Sequence, residues 1–354
     1  MANIGKNYAV LAFQLALASL LAEPAAAYYH EAPAETQFLI KTRVRYWFAA
    51  TSAQTRAAAV TPASWWTPTS DNIYIGRTDD FKRLDTSFPL FSAEVQPTEG
   101  LSVEFETGDN RYSSGQYMQH EWLQATNQTL YLYNGVVWNS PQHRDYAASR
   151  ARLNGSARQY SGNLYLRIYK SRLRHIEDDY ELNHTVDLFV GYSWYENRAH
   201  IFDGYQSLHT DFFLPTPPTG PIAGLDSSSR MTWYGWRAGF REQARISDTF
   251  SAEGKASLGP RLKFTGADFL NLRSDLADPG LRRSAHGLLL ELSASASWKF
   301  WKQFELEGGY LLWKYSAASG EETYYYADGT TWEGKLNKVL ATRKGLFLGL
   351  TWKY

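Results

Sequence analysis

Two short stretches of the sequence hold the residues that could carry out chemistry. Residues 115–123 contain His120 and Glu121, and residues 263–280 contain Asp275. A histidine that meets a carboxylate can activate water, because the carboxylate orients the imidazole and stabilises its protonated form. If the two stretches fold toward each other, His120, Glu121 and Asp275 form such a site. The competing interpretation is that each is a solvated loop side chain.

Other kinds of site have less support. His143 and Asp145 are a second possible pair, also explained by solvated loop positions. The chain has no Cys, and its eight His residues show no paired ligand spacing, which disfavours a metal site. Ser274 does not lie in a Gly-x-Ser-x-Gly elbow. The 36 basic and 36 acidic residues balance, so charge gives no argument for nucleic acid. We expect no metal, no cofactor and no nucleic-acid partner.

A period-two alternation of apolar residues predicts the elements that position these stretches. Residues 345–354 place large apolar side chains at every second position, which predicts a strand with a different environment on each face. Ten segments of this kind follow one another along the chain. Their predicted bounds are about 36–48, 83–96, 101–107, 159–170, 185–194, 231–242, 250–263, 288–300, 304–315 and 345–354.

The connections between these segments alternate between long and short. Residues 108–154 and 196–230 are predicted as long irregular stretches, and the proline-rich run 214–221 as neither strand nor helix. The charged turn 171–183 is the one long connection on the side where the others are short. An even number of strands with short turns on one side and long loops on the other is typical of an outer-membrane barrel.

The N-terminus predicts export. Lys6 precedes an apolar run over residues 9–21, and Ala25, Ala26 and Ala27 offer the small side chains that a signal peptidase requires. The sequence therefore predicts a signal peptide over residues 1–27 and one barrel domain over residues 28–354. The alternative is an N-terminal anchor helix, which the short apolar run and Pro24 disfavour.

The composition favours a membrane barrel over a soluble sandwich or lipocalin-like barrel. Aromatic residues make up 16% of the chain although the mean hydropathy is −0.44. Apolar side chains at alternate positions, rather than in runs, produce this combination. The expected fold is all-β, a ten-stranded antiparallel transmembrane β-barrel with long extracellular loops. Charged residues of both signs on the other face would fill so narrow a lumen, which disfavours a diffusion pore.

Several short motifs resemble those of the omptins, the ten-stranded outer-membrane proteases. The resemblance in strand count and loop order covers essentially the whole chain after residue 27. The final Gly-Leu-Thr-Trp-Lys-Tyr is also similar to the last strand of that family. The matching anchors, at matching spacing, are Gly115, Trp122, Lys263, Gly266 and Asp278-Pro279-Gly280.

The resemblance also implies which residues would act, and here the sequence departs from the family. Omptins have an Asp-His pair that activates water, and two further Asp residues face it. The facing carboxylates fall on Gln119 and Glu121, and the Asp-His pair falls on Ser274 and Leu276. Leu276 cannot accept a proton, so we expect that the protease residues are not retained.

The sequence thus predicts a surface-exposed structural or binding barrel in the outer membrane, in contact with its lipid. The alternatives are an omptin-like endopeptidase with the rearranged acid/His site and a solute pore. The resemblance, and nothing else, implies lipopolysaccharide as a partner. Aromatic residues of the loops could bind a surface ligand or complete the interfacial girdle: Trp65, Trp66, Tyr324, Tyr325 and Tyr326.

Overall fold

A computed structural model describes residues 39–60, 73–125, 130–133, 136–139, 144–175, 180–209 and 218–354. These residues contain fourteen antiparallel β-strands. The strands are β1 (Leu39–Val60), β2 (Ile73–Thr98), β3 (Leu101–Tyr112), β4 (Gln116–Ala125), β5 (Leu130–Tyr133), β6 (Val136–Asn139), β7 (Arg144–His175), β8 (Tyr180–His209), β9 (Gly220–Arg245), β10 (Phe250–Phe269), β11 (Leu276–Lys299), β12 (Phe304–Ala317), β13 (Gly320–Tyr326) and β14 (Thr331–Lys353).

Ten of these strands form a closed ring. Each pairs with the next in the order β1, β2, β3, β7, β8, β9, β10, β11, β12 and β14, and β14 pairs again with β1. At this seam Lys41 lies opposite Lys353, and the register continues to Ala58 opposite Lys335. Because the ring closes, its strands present no open edge, which is the condition for a sheet to span a membrane.

Two walls of the ring are each built from two strand segments. β3 ends at Tyr112, and β4 takes up the same place between β2 and β7 from Gln116. In the same way β13 continues the wall of β12 between β11 and β14. β5 and β6 form a separate two-stranded sheet.

A belt of apolar side chains surrounds one part of the ring. Leu166, Leu346 and Leu348 are each more than half exposed, whereas the alternate positions hold buried charged residues such as Arg43 and Glu104. This arrangement, apolar outside and polar inside, is that of a transmembrane barrel. Aromatic residues at the belt include Tyr46, Tyr160, Tyr192, Trp236, Trp298 and Trp352.

Most strands extend far beyond the belt at one end, and β7 and β8 also project at the other, near end. Short turns at residues 99–100, 246–249 and 300–303 connect the strands at the near end. Most connections at the opposite end are longer, although the turn 327–330 between β13 and β14 also has four residues. Since barrels of this class have short periplasmic turns and long extracellular loops, the long extensions are extracellular.

The strands are longer than the sequence predicted. β7 begins at Arg144 instead of about residue 159, β8 continues to His209, and β14 begins at Thr331 instead of residue 345. The prediction that residues 108–154 are irregular was wrong for β4, which holds the 115–123 stretch. Above the membrane both faces of a strand can be polar, so the period-two signal disappears although the backbone pairing continues.

The interpretation of residues 214–221 also needs one correction. Pro221 is the second residue of β9, near the strand start, where the missing N–H is tolerated. Other positions lie outside the described residues: the predicted signal peptide 1–27, Trp65, Trp66 and His143. The domain bounds therefore stay a prediction.

The lumen is filled with side chains in layers. An aromatic layer, formed by Trp47, Tyr195, Trp233, Trp313 and Tyr315, separates an ionic cluster within the belt from another on the extracellular side. Trp47 and Trp313 meet edge to face at 5.2 Å, and Tyr195 stacks on Tyr315 at 5.4 Å. The guanidinium of Arg343 lies over the rings of Trp47, Tyr195 and Trp313 at 4.7, 4.9 and 5.4 Å.

In the described part of the chain, no helix is long and apolar enough to cross a membrane.

Candidate functional site

The 115–123 stretch lies on β4, in the extracellular extension of the barrel. β4 pairs with β2 on one side and with β7 on the other, so its residues alternate between the lumen and the outer surface. Tyr117 points inward and is buried, and Gln119 and Glu121 share its face. Gln119 Nε2 donates a hydrogen bond of 2.7 Å to Glu121 Oε1. His120 is exposed on the other face.

This alternation separates the two residues that a rebuilt acid/His site would need on one element. Because adjacent residues of a strand point to opposite faces, the inward Glu121 and the outward His120 do not meet. The structure therefore does not bring His120 and Glu121 together.

The other half of the predicted site lies in the turn between β10 and β11. Asp275 is about half exposed, and Arg273 binds both of its oxygens at 2.8 and 2.7 Å. The hydrogen bonds from Arg273 hold the pKa of Asp275 below its usual value, which makes this carboxylate a weaker base. Ser274 is exposed, and Leu276, the first residue of β11, is only 8% exposed.

Beside Glu121, on the inward face, lies an ionic cluster that the sequence did not reveal. We name it the upper cluster and define it as Arg77, Asp79, Asp268, Arg283 and Glu322. Arg283 binds Asp79 at 3.0 Å, Asp268 at 2.9 Å and Glu322 at 2.6 Å. Arg77 binds Asp79 at 2.9 Å. All five side chains are no more than 9% exposed.

Hydroxyl groups complete the partners of the buried carboxylates. Tyr117 donates a 2.7 Å hydrogen bond to Asp79, and Thr55 donates one of 3.2 Å to the same carboxylate. Ser229 donates to Asp268 at 2.7 Å. Buried charges require such partners, because an unpaired one is strongly destabilising.

The charges of this region do not cancel. The upper cluster has two guanidinium groups against three carboxylates, and Glu121 adds a fourth carboxylate. We name this region the extracellular cleft and define it as the upper cluster together with Glu121, Tyr146 and Tyr324. Burial alone would raise the pKa of Asp79, but Arg77 and Arg283 hold it below its usual value. The cleft therefore holds more acidic than basic side chains.

Two tyrosines line the same cleft and stay protonated. Burial raises the pKa of Tyr146, and the nearby Glu121 raises it further. Burial also raises the pKa of Tyr324, with Glu322 adding to the effect. Both phenols are therefore neutral hydroxyl groups that can donate hydrogen bonds.

The predicted aromatic patch of β13 is divided between two faces. Tyr324 shares the inward face with the buried Glu322, whereas Tyr325 lies on the outer face, where the guanidinium of Arg282 stacks over its ring at 5.2 Å. The three consecutive tyrosines therefore do not form one binding platform, because the strand alternates their directions.

Four of the described histidines lie away from the extracellular cleft. His120 and His286 are exposed on the outer face. His184 contacts Glu242, and His200 contacts Asp226. Within the described residues, no group of three or more His, Cys, Asp or Glu side chains could hold a metal ion.

The upper cluster escaped sequence reasoning because its members come from four strands far apart in the chain. Arg77 and Asp79 lie before the second predicted strand, which the sequence placed at about residues 83–96. Their spacing of two residues, with Phe81 following, was the available signal, because it places all three on one face of a strand.

Comparison with known proteins supports the fold. No protein-family model matches the chain, and no curated protein matches it. Among solved structures, the outer membrane protease OmpT from Escherichia coli superposes with a TM-score of 0.62. That match has 11% sequence identity and covers 90% of this chain and 99% of the protease.

Two other solved structures superpose poorly. A mutant of the TodX monoaromatic hydrocarbon channel has a TM-score of 0.23 at 8% identity, covering 91% of each chain. OmpT of Vibrio cholerae has a TM-score of 0.15 at 9% identity, covering 93% of this chain and 100% of the other. These scores are too low to indicate a shared fold. The ten-stranded ring, its apolar belt and the match to the protease of Escherichia coli together show that the chain has an omptin-like β-barrel fold.

Proposed function

We propose that the protein is an omptin-like barrel of the outer membrane that binds a ligand at its extracellular cleft and does not cleave peptides. The observation that carries this proposal is the environment of Leu276. This position, which the resemblance equates with the histidine of the family, holds a buried apolar side chain at the start of β11. A water-activating base is then lacking at the place where the mechanism requires one.

The carboxylates of the cleft also suit binding better than catalysis. Asp79, Asp268 and Glu322 are each bound to a guanidinium group, and Asp275 is bound to Arg273. The pKa of Asp79 and that of Asp275 lie below their usual values, so both carboxylates act poorly as general bases. The neutral phenols and the excess of negative charge favour a ligand that carries a cation and hydrogen-bonding groups.

A cleavage assay tests this proposal. The refolded barrel, with and without lipopolysaccharide, is incubated with a broad peptide mixture, and the products are read by mass spectrometry. We expect no cut peptide in either condition. Specific cuts that disappear in the Glu121→Gln variant would overturn the proposal and support the alternative, an endopeptidase with a rearranged site. The matched control is Glu321→Gln, an exposed position on β13.

A basic group on the outer wall supports lipopolysaccharide as the membrane partner. Above the belt, the buried carboxylate of Glu196 is held by Arg198 Nε at 2.6 Å and by Arg230 Nε at 2.6 Å. Both arginines are about half exposed, and the exposed Lys263 lies beside Arg230 in the same outer groove. Positive side chains at the level of the lipid headgroups attract phosphate groups.

Binding of purified lipopolysaccharide to the barrel in neutral detergent tests this assignment. Lys263→Gln is expected to weaken binding several-fold. In this variant Glu196 still holds Arg198 and Arg230 in place. Lys338→Gln on β14 serves as the control for the loss of one positive charge. Equal binding by both variants and the unchanged protein would contradict the assignment.

A further inference from the structure

The periplasmic end of the lumen contains a cavity of about 360 Å³, which we name the periplasmic vestibule. It opens where β1, β9, β10, β12 and β14 reach the short turns. Its wall includes charged residues that are almost fully buried, among them Arg43 and Arg241 at 4% and 2% exposure. The vestibule lies at the opposite end of the barrel from the extracellular cleft.

Every carboxylate of the vestibule wall is already bound to a cation. Arg241 binds Glu94 at 2.8 Å and Arg43 binds Glu253 at 2.9 Å. The remaining pairs are Arg45 with Glu307 at 2.8 Å, Arg245 with Asp248 at 3.0 Å, and Lys353 with Glu305. The acidic lining therefore contributes little free negative charge.

Three lysines of the same wall form no close ion pair with a described carboxylate. Lys41 has only a distant contact, 3.9 Å from Glu253, and its side chain is 14% exposed. Within the described residues, Lys299 and Lys302 have no carboxylate within 4.0 Å, and Lys302 is exposed. An ammonium group held in a partly closed cavity attracts an anion more strongly than one on an open surface, because the surroundings screen it less.

A projecting hairpin forms one side of this vestibule. β7 pairs with β3 only as far as Leu166, and β8 pairs with β9 only from Asn183. Between these positions β7 and β8 pair with each other alone, up to His175 opposite Tyr180. Arg167, Asn183 and Thr185 at the base of this hairpin belong to the vestibule wall. The described parts of this hairpin, which end at His175 on β7 and begin at Tyr180 on β8, thus extend the wall into the periplasm.

We propose that the periplasmic vestibule binds the phosphate group of a small ligand or of a lipid headgroup, with Lys41, Lys299 and Lys302 as its positive contacts. Phosphate accepts several hydrogen bonds at once, and the wall supplies hydroxyl and amide donors next to the lysines. Those donors include Thr185, Gln243, Ser251, Ser297 and Gln303. The cavity has room for the phosphate and part of the group that carries it.

Calorimetric titration of the full chain in neutral detergent micelles tests the proposal. Glycerol 3-phosphate at low ionic strength is expected to bind saturably, whereas glycerol is not. The combined Lys41→Gln, Lys299→Gln and Lys302→Gln variant is expected to bind about tenfold more weakly, because three ionic contacts are lost. Migration in gels with and without heating establishes that each variant is folded.

The matched control removes three exposed lysines from the outer wall, by Lys263→Gln, Lys314→Gln and Lys344→Gln. It is expected to bind glycerol 3-phosphate as the unchanged protein does. Three outcomes would overturn the proposal: no saturable binding to the unchanged protein, full binding by the vestibule variant, or an equal loss in the control.

Lipid nanodiscs distinguish the two sources of the phosphate group. If the vestibule holds a lipid headgroup, discs that contain phosphatidylglycerol weaken the binding of glycerol 3-phosphate by competition, relative to discs of phosphatidylcholine. If the ligand is soluble, both kinds of disc give the same affinity. In each case the vestibule variant must bind more weakly than the control.

Discussion

Arg283 binds three carboxylates that come from three different strands, and it is only 3% exposed. Each carboxylate is buried, so removing the guanidinium would leave negative charges facing one another in a medium of low dielectric. The upper cluster therefore joins β2, β10, β11 and β13 through a single side chain.

Replacing Arg283 is expected to cost far more stability than replacing its neighbour. Arg283→Met leaves three buried carboxylates short of a partner, and we expect a loss of about 3–5 kcal/mol in the free energy of unfolding. Arg282→Met is the control, because Arg282 lies one residue away on the outer, exposed face. Denaturant unfolding in detergent measures both. Equal losses would show that the ion pairs contribute little.

Asp79 predicts a specific dependence of stability on pH. Its folded pKa lies below its usual value, so the unfolded chain binds more protons than the folded one in acid. The stabilisation is complete above about pH 4 and is lost as the pH falls through the folded pKa. Asp79→Asn should therefore flatten the fall of the melting temperature below about pH 4. An unchanged acid profile would contradict this assignment.

Sequence reasoning reached individual residues only where a motif marked them. The 115–123 and 263–280 stretches were found, yet the roles of His120 and Asp275 depended on their directions. The direction of His120 follows from the strand β4, and the direction of Asp275 follows from its contact with Arg273. Neither is visible in one sequence, because strand pairing above the membrane leaves no apolar period.

At the scale of strands, the seam between β1 and β14 depends on close backbone approach. A Cβ atom added at Gly345 would lie 1.9 Å from the carbonyl oxygen of Phe48 on β1. This clash is with backbone, which cannot rotate away as a side chain can. Because it has no Cβ atom, Gly345 can lie directly opposite Ala49, so β14 pairs with β1 without this clash.

A single methyl group at this glycine is expected to weaken closure of the ring. Gly345→Ala should lower the yield of folded barrel and the free energy of unfolding by more than 1 kcal/mol, since backbone must shift. Gly162→Ala on β7 is the control, because an added Cβ there meets nothing within 4 Å. Refolding into detergent, followed by gel migration without heating, measures both. Similar yields would show that the seam tolerates the extra atom.

All ten predicted strands are present in the ring, and the errors in their predicted bounds share one cause. Inside the belt the lipid requires apolar side chains at alternate positions, so Leu288 to Trp298 on β11 was recognisable. Outside the belt, water and neighbouring loops accept polar residues on both faces, as on β4 and the first half of β7. The membrane-facing half of each strand was therefore predictable, and the extracellular half was not.

For the whole molecule, the filled lumen argues against a pore. The aromatic layer crosses the barrel, and its members Trp47 and Trp233 and the neighbouring Phe264 are at most 1% exposed. Trp233 and Phe264 pack at 4.8 Å between ring centres. In the part of the chain that the structure describes, this layer fills the lumen between the extracellular cleft and the periplasmic vestibule.

Planar bilayers test this closure. The unchanged protein is expected to show no steady conductance. The combined Trp47→Ala and Trp313→Ala variant is expected to open measurable channels, because it empties the layer beside Arg343. Leu258→Ala, a lipid-facing position at the belt, is the control and should stay silent. Steady conductance by the unchanged protein would favour the solute-pore alternative.

The pairing of β14 with β1 also determines when the molecule can become complete. Lys353 meets Lys41 from the other end of the chain, so this contact has the greatest sequence separation of any strand pair in the ring. Before β14 pairs with β1, the sheet has two open edges, on β1 and on β12. Open edges of this kind pair readily with other chains. Assembly is therefore slow and vulnerable until its final step, and a cell that makes this protein must shield the growing sheet before the last strand arrives.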